Sequence, residues 1–329
     1  MPRLLVLLAL LGACASPAPT SGPTASPFEV EAPPVWSADG IRIATFNGEF
    51  LFDGEGDEGE ATFAWKGDPA AARAHRDAIA AVVRTLDADL VLIPETENLA
   101  TLQRMADESL ADLGYDAVLV DGLDSFTGQD VGLLSRFPVE AEGRTNERAT
   151  VGVSDARYGV SKNLWARLTL PDGTPVTVIG VHFLARPDDV DRRDRREAQA
   201  EVIRQLVQQE IEAGRQVIAL GDFNDLDDQV QDRGGYRPIT DVLATVKRAG
   251  PGPEDDLVNV IGDVPQAERF TSFYDRNGDG QFDAGEFSAI DHVLLSPALY
   301  RRVVDVRYVH SHDPRTVSDH FPIVVTLAE

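Results

Sequence analysis

From Trp36 onward, short apolar runs alternate with longer amphipathic ones, and this alternation narrows the fold more than any other feature of the sequence. Residues 41–46, 89–93, 131–135, 164–170, 176–182 and 217–220 are brief, mostly apolar and rich in strand-forming residues. The stretches between them read as helices. Asp68 followed by Pro69 supplies an N-cap and a proline at the first helical position, and Ile79, Val82, Val83 and Leu86 then share one face. Asn98 caps a second helix carrying Leu99, Leu102, Leu110 and Leu113 and stopped by Gly114. A third runs from about 188 to 213, with Val202, Ile203, Leu206, Val207 and Ile211, and stops at Gly214. No internal repeat or linker interrupts the pattern, so residues 36–329 are expected to form one α/β domain.

The segment before Trp36 reads as an address. Residues 1–13 are a short apolar signal-peptide core, too short to span a bilayer, and end at the only cysteine, Cys14. Leu11-Gly12-Ala13-Cys14 resembles the bacterial lipobox, whose thiol is acylated. Residues 14–35, rich in Ser, Pro, Ala and Thr, are expected to be an extended lipid-anchored tether. The expected location is the bacterial cell envelope, with membrane contact through the lipid alone and no protein partner. A single cysteine also excludes a disulfide framework and any Cys-rich zinc or iron–sulfur site.

Lys and Arg number 30 against 55 Asp and Glu, a formal charge of −25. Such acidity opposes gripping nucleic acid by bulk charge, though metal ions can supply local positive charge for a phosphate. The strand-like runs end in polar residues: Thr45-Phe46-Asn47, Ile93-Pro94-Glu95, Gly180-Val181-His182 and Gly221-Asp222-Phe223-Asn224, then Ile290-Asp291-His292 and Ser318-Asp319-His320 near the C-terminus. Open α/β sheets bind ligands beyond strand ends, so these residues can share one cleft. Singly, Asn47 is a turn former and Asp222, Asn224 and Asp319 are local caps. Together they offer carboxylates, carboxamides and histidines without a Ser-His-Asp or Cys-His arrangement. Hard oxygens suit Mg²⁺ or Mn²⁺, and the rest suits water activation and charge stabilisation at phosphorus.

With Gly132-Leu133-Leu134-Ser135-Arg136-Phe137-Pro138 added, seven such segments in order span residues 41–325. In this order the chain resembles the endonuclease/exonuclease/phosphatase superfamily, which includes pancreatic deoxyribonuclease and neutral sphingomyelinases. The resemblance implies a four-layer α/β/β/α sandwich of two mixed β-sheets with a cleft at one end. It implies a metal-dependent phosphoric ester hydrolase, a phosphodiesterase or nuclease ahead of a phosphomonoesterase or sphingomyelinase-like enzyme, acting on nucleic acid or a small phosphodiester. A calcium-stabilised binding module that has lost catalysis is the non-enzyme alternative. By position, Glu95 would be the main Mg²⁺ ligand with Asn47 beside it, and Asp319 would face the metal. Asp222 would position or deprotonate water, and Asn224 would help place the phosphate. His182 and His320 would bond phosphate oxygens, and Asp291 would orient and charge His320. The sequence departs from the pattern at Pro94, where the superfamily often has Gln. Asp130, next to Gln129, is the candidate acidic partner of His182. His292 reads as structural, and His75, His310 and His312 receive no role. Arg192, Arg193, Arg195 and Arg196, interleaved with acids, read as a salt-bridged solvent face.

Asp275, Asn277, Asp279, Gln281, Asp283 and Glu286 fit the twelve-residue calcium loop, with Gly280 at its sharp turn. Residues 270–274 and 289–295 on either side read as strands, so a structural Ca²⁺ loop inserted between strands is expected in place of a sensor EF-hand.

Overall fold

A computed structural model describes residues 28–36, 39–56, 59–151, 155–248, 250 and 252–329. The expected signal peptide, Cys14 and the tether through residue 27 lie outside the described residues. In chain order the strands are β1 (Ile41–Thr45), β2 (Leu90–Thr96), β3 (Asp116–Leu119), β4 (Asp130–Ser135), β5 (Val139–Gly143), β6 (Lys162–Thr169) and β7 (Pro175–His182). They continue as β8 (Gln216–Asp222), β9 (Val258–Asn259), β10 (Ser272–Phe273), β11 (Phe287–Ser288), β12 (Asp291–Leu295), β13 (Val303–Tyr308) and β14 (Ile323–Leu327). The principal helices are α1 (Pro69–Leu86), α2 (Leu99–Arg104), α3 (Arg193–Glu212) and α4 (Val242–Lys247).

Two six-stranded sheets form, in the orders β13-β14-β1-β2-β4-β3 and β5-β6-β7-β8-β12-β9. Both are mixed: β1 and β2 run parallel, as do β7 and β8, while the other pairs are antiparallel. Side chains alternate across each strand, and both faces are covered. Ile43, Leu92 and Leu133 point inward against Leu164, Val178, Ile218 and Leu220 of the opposite sheet. Their neighbours Ala44, Val91, Ile93 and Leu134 point outward onto Ile79, Val83, Leu86 and Leu102 of α1 and α2. On the other flank, Ile179, Val181, Val217 and Ala219 pack on Val202, Ile203 and Val207 of α3 and Val242 of α4. The result is the expected four layers.

Near the ends of β7 and β8, Gly180 and Gly221 leave room for Leu92 of the opposite sheet. A Cβ on Gly180 would lie 2.4 Å from Leu92 Cδ1, and one on Gly221 would lie 3.1 Å from Leu92 Cδ2. Gly221 also stands at φ +127°, where a Cβ would lie 2.2 Å from the neighbouring Val181 carbonyl oxygen of its own sheet.

Three local expectations change. The second helix stops being α-helical at Arg104, continuing as a wider turn over Met105–Ser109 and a tight one over Ala111–Leu113 before Gly114 at φ +71°. The third helix begins at Arg193, because the Asp189 side chain takes the Asp191 N–H in a separate turn over Val190–Arg192. The end of the expected tether is docked. Phe28 is buried among Phe270, Phe273, Phe287 and Phe321, Glu31 N donates to the His310 carbonyl at 2.9 Å, and Arg307 Nη1 donates to the Val35 carbonyl at 3.2 Å. Among the described residues no helix is long and apolar enough to cross a membrane.

Candidate active site

The strand ends converge. β2 delivers Glu95, β7 His182, β8 Asp222 and β12 Asp291, and the segment before β14 brings His320. Ligand atoms of Glu95, His182 and Asp222 lie within 4.8 Å of one another, as do those of Asp222, Asp291 and His320. Register explains part of this, since His182 and Asp291 each lie directly opposite Asp222 in the second sheet. The first sheet adds Asn47 just beyond β1, and its Nδ2 bridges Glu95 Oε1 at 3.2 Å and Asp222 Oδ2 at 3.1 Å. Its Oδ1 accepts from Glu49 N at 2.9 Å, so the Asn47 carboxamide is fixed where it orients both carboxylates.

Glu95 stands on backbone at φ +63°, a strained conformation for a residue with a side chain. The β2–β4 register shifts there, between Pro94 and Thr96. That irregularity turns the carboxylate toward the cleft, where it accepts from Phe50 N at 3.1 Å and Gln129 Nε2 at 2.6 Å.

His320 Nδ1 meets Asp291 Oδ2 at 2.7 Å, and its Nε2 lies 3.8 Å from Asp222 and 3.9 Å from Asp319. Burial alone would lower its pKa, but the Asp291 charge and hydrogen bond, with Asp319 and Asp222, hold it well above the ordinary histidine value. His182 goes the other way. Burial, then the Lys162 and His320 charges, push it well below that value. Its Nε2 lies 3.6 Å from Asp222 and 3.8 Å from Glu95. Burial and the neighbouring Asp291 raise Asp222 to about 7. Burial and Asp319 raise Glu95, and Glu49 is pushed up to about 8 by burial and by Asp319. Carboxylates crowded in this way are relieved by a shared divalent cation, and their hard oxygens fit Mg²⁺ or Mn²⁺.

Asn224 stands beside the cluster at φ +48°, with its N–H on Asp222 Oδ1 at 2.8 Å and its Nδ2 on the Phe183 carbonyl at 3.2 Å. Asp319 N donates to Glu49 Oε2 at 3.0 Å, so the segment before His320 is tied to the end of β1. Asp130 does not partner His182. Its Oδ1 accepts from Gly122 N at 2.8 Å, and His182 Nδ1 is buried without a hydrogen-bond partner. Gln129, the residue just before β4, reaches the cleft instead. Gln129 bonds Glu95, and its Oε1 accepts from Lys162 Nζ at 3.2 Å.

Gln129, Lys162 and Glu49 are the site residues that sequence reasoning missed. Glu49 lies two residues beyond Asn47, and Lys162 sits directly opposite His182 across β6 and β7, a pairing visible only once the register is known. The arginine run also needs correction at one position. Arg192, Arg193 and Arg195 do face outward, but Arg196 is fully buried against Asp225 at 2.6 Å. It pins the segment after β8, where His292 Nε2 holds the Asp225 carbonyl at 2.9 Å, the structural role expected of His292.

The remaining histidines stay out of the cleft. His75 bonds the Gly48 carbonyl, His310 the Phe270 carbonyl, and His312 the carbonyls of Ser318 and His320.

In the calcium-loop segment, Asp275 takes the N–H groups of Gly278 and Gly280, Asn277 that of Asp279, and Asp279 that of Gln281. Glu286 takes those of Arg276 and Asp283. Asn277 Nδ2 donates to Asp283 Oδ2 at 3.1 Å. The loop closes between β10 and β11, which pair antiparallel; the expected strand over 289–295 is instead β11 at Phe287–Ser288 followed by β12 at Asp291–Leu295.

This fold, with an acid-rich cleft at its strand ends, defines a metal-dependent phosphoric ester hydrolase. The chain belongs to the Endonuclease/Exonuclease/phosphatase family, whose pattern it matches over residues 44–320. No curated protein sequence matches it. It is similar in fold to a family protein from Bacteroides thetaiotaomicron, with 18 % identity over 89 % of this chain and 98 % of that one, at a TM-score of 0.55. It is likewise similar to a 3′ phosphatase from Neisseria bound to a product DNA hairpin, with 17 % identity over 88 % of this chain and 100 % of that one, at a TM-score of 0.56. The human Nocturnin catalytic domain with a bound sulfate anion aligns at 14 % identity over 90 % of this chain and 95 % of that one, at a TM-score of 0.53.

Proposed function

We propose that this protein is an exported phosphodiesterase or nuclease, dependent on Mg²⁺ or Mn²⁺ and anchored to the cell envelope by a lipid on Cys14. The observation that carries the catalytic reading is the convergence of Glu95, His182, Asp222, Asp291 and His320 from separate strand ends and segments on one buried cleft. Glu95 would hold the ion, with Asn47 and Asp319 as further candidates to meet it. Bound there, the ion neutralises charge developing on the phosphoryl oxygens. Asp222 draws the proton from the attacking water, and its partner contact to Asn47 keeps that oxygen aimed into the cleft. His320, kept cationic by Asp291, and neutral His182 donate to phosphate oxygens, while Asn224 holds the turn after Asp222 in place. The charge of −25 favours a small phosphodiester over tight binding of long nucleic acid. Loop 275–286 would hold a structural Ca²⁺ through its oxygen donors.

The test is hydrolysis of a panel with Mg²⁺, Mn²⁺ or Ca²⁺: a bis-aryl phosphodiester, plasmid DNA, RNA, an aryl phosphomonoester and sphingomyelin. Diester or nucleic-acid cleavage supported by Mg²⁺ or Mn²⁺ is the expected result. Cleavage of the monoester or sphingomyelin alone would reassign the substrate class, and activity unaffected by metal removal would refute the mechanism.

A further inference from the structure

Lys162, one of only three lysines in the chain, opens β6 directly opposite His182. Its side chain is only 10 % exposed. Burying an ammonium is costly unless partners meet its three N–H donors. Gln129 Oε1 lies at 3.2 Å, but His182 Nε2 and Asp124 Oδ2 are both at 3.5 Å, beyond a good hydrogen bond. Asp124 is satisfied from elsewhere, accepting from the N–H groups of Phe126 and Thr127 at 3.1 Å and from the Thr127 hydroxyl at 2.6 Å. Lys162 is therefore held near a carboxylate whose hydrogen bonds are supplied by its own loop. It is aimed at the imidazole nitrogen that also faces Asp222 and Glu95.

The geometry points to Lys162 as a catalytic residue that meets a phosphoryl oxygen of the substrate beside His182, exchanging Asp124 for that oxygen as the substrate enters. This rests on the phosphoesterase reading above. Glu49, Glu95, Asp222, Asp291 and Asp319 all repel an anionic diester, and one divalent ion offsets only part of that charge. An ammonium already buried beside His182 Nε2 supplies a further contact to the phosphoryl oxygen. A lysine suits the exchange, being a compact point charge on a flexible stem. Gln129, bonded to both Lys162 and Glu95, keeps the cation registered to the metal-binding carboxylate.

The test compares wild type, Lys162→Met and Asp124→Asn in two assays. One is Mg²⁺-supported hydrolysis of a bis-aryl phosphodiester, and the other is calorimetric binding of inorganic phosphate to the Mg²⁺-loaded protein. Lys162→Met is expected to lower kcat/KM about 100-fold and to weaken phosphate binding about tenfold. Asp124→Asn keeps the acceptor for the loop amides while removing the competing charge, and should bind phosphate several-fold more tightly. Folded Lys162→Met with wild-type phosphate affinity, or Asp124→Asn with unchanged or weaker affinity, would overturn the assignment. Should Lys162→Met fail to fold, the direction of the Asp124→Asn effect decides alone. The phosphate assay needs no turnover, so an inactive wild type refutes the phosphodiesterase reading while Lys162 is still judged by binding.

Discussion

The cleft and the 275–286 loop are both acid-rich, yet they are built in opposite ways. Carboxylates of the cleft come from segments far apart in sequence, sit buried, and crowd one another until Asp222 and Glu49 titrate near neutrality. Those of the loop come from one twelve-residue stretch and are committed largely to its own backbone N–H groups. One region concentrates charge by tertiary packing, the other by local spacing. The difference predicts that a cation in the cleft serves chemistry, whereas a cation in the loop serves shape.

The sharpest way to break that contrast is to neutralise one carboxylate in each region. Asp222→Asn should cut kcat/KM by about 1,000-fold, as loss of a general base does, with a wild-type melting temperature. Glu286→Gln should leave the Mg²⁺-dependent rate within about threefold at saturating Ca²⁺, because the Glu286 carboxylate bonds Arg276 N and Asp283 N within the loop. Equal losses in both variants would erase the distinction.

The seam between the regions gives the next effect. His310 stacks on Phe270 at 3.7 Å beside the docked Phe28, and burial lowers its pKa to about 4. A histidine depressed in the folded state is protonated more readily when unfolded. Stability is thus full above the unfolded value near 6.5 and falls as pH drops from there toward about 4. His310 should contribute a loss of about 3 kcal/mol over that window. Urea unfolding at stepped pH checks this, and His310→Phe should flatten the slope.

Removing Ca²⁺ is the mildest perturbation. An ion at a hundred times its Kd adds about 2.7 kcal/mol, and each kcal/mol moves the melting temperature of a domain this size by about 2–4 °C. Chelation followed by resupply of Mg²⁺ should lower it by about 5 °C. A modest loss of activity should follow, because Thr271, next to β10, holds the N–H groups of Ile290 and Asp291 through its hydroxyl. No change in melting temperature or rate would remove the ion from the account.

The layers and most of the cleft were legible in the sequence because both faces of the inner strands are buried, leaving long apolar runs, and because polar residues at their ends stand out. Glu95, His182, Asp222, Asp291 and His320 all met as expected. The peripheral strands were not legible: β5 reads Val-Glu-Ala-Glu-Gly, half exposed, and β9 spans two residues. Register-dependent contacts were also hidden. Lys162 carries no local mark of a site residue until it is seen opposite His182, and Asp130 turns to Gly122 N while the residue before it, Gln129, bonds Glu95. Arg196 looked like its exposed neighbours until tertiary packing placed Asp225 against it.

Mn²⁺ binding to Ca²⁺-saturated protein, followed by electron paramagnetic resonance, tests the cleft as a metal centre most directly. The account predicts one tightly bound Mn²⁺ in the wild type and in Glu286→Gln, lost or weakened at least tenfold in Glu95→Gln. Tight Mn²⁺ that survives Glu95→Gln but disappears in Glu286→Gln would place the metal in the loop and contradict it.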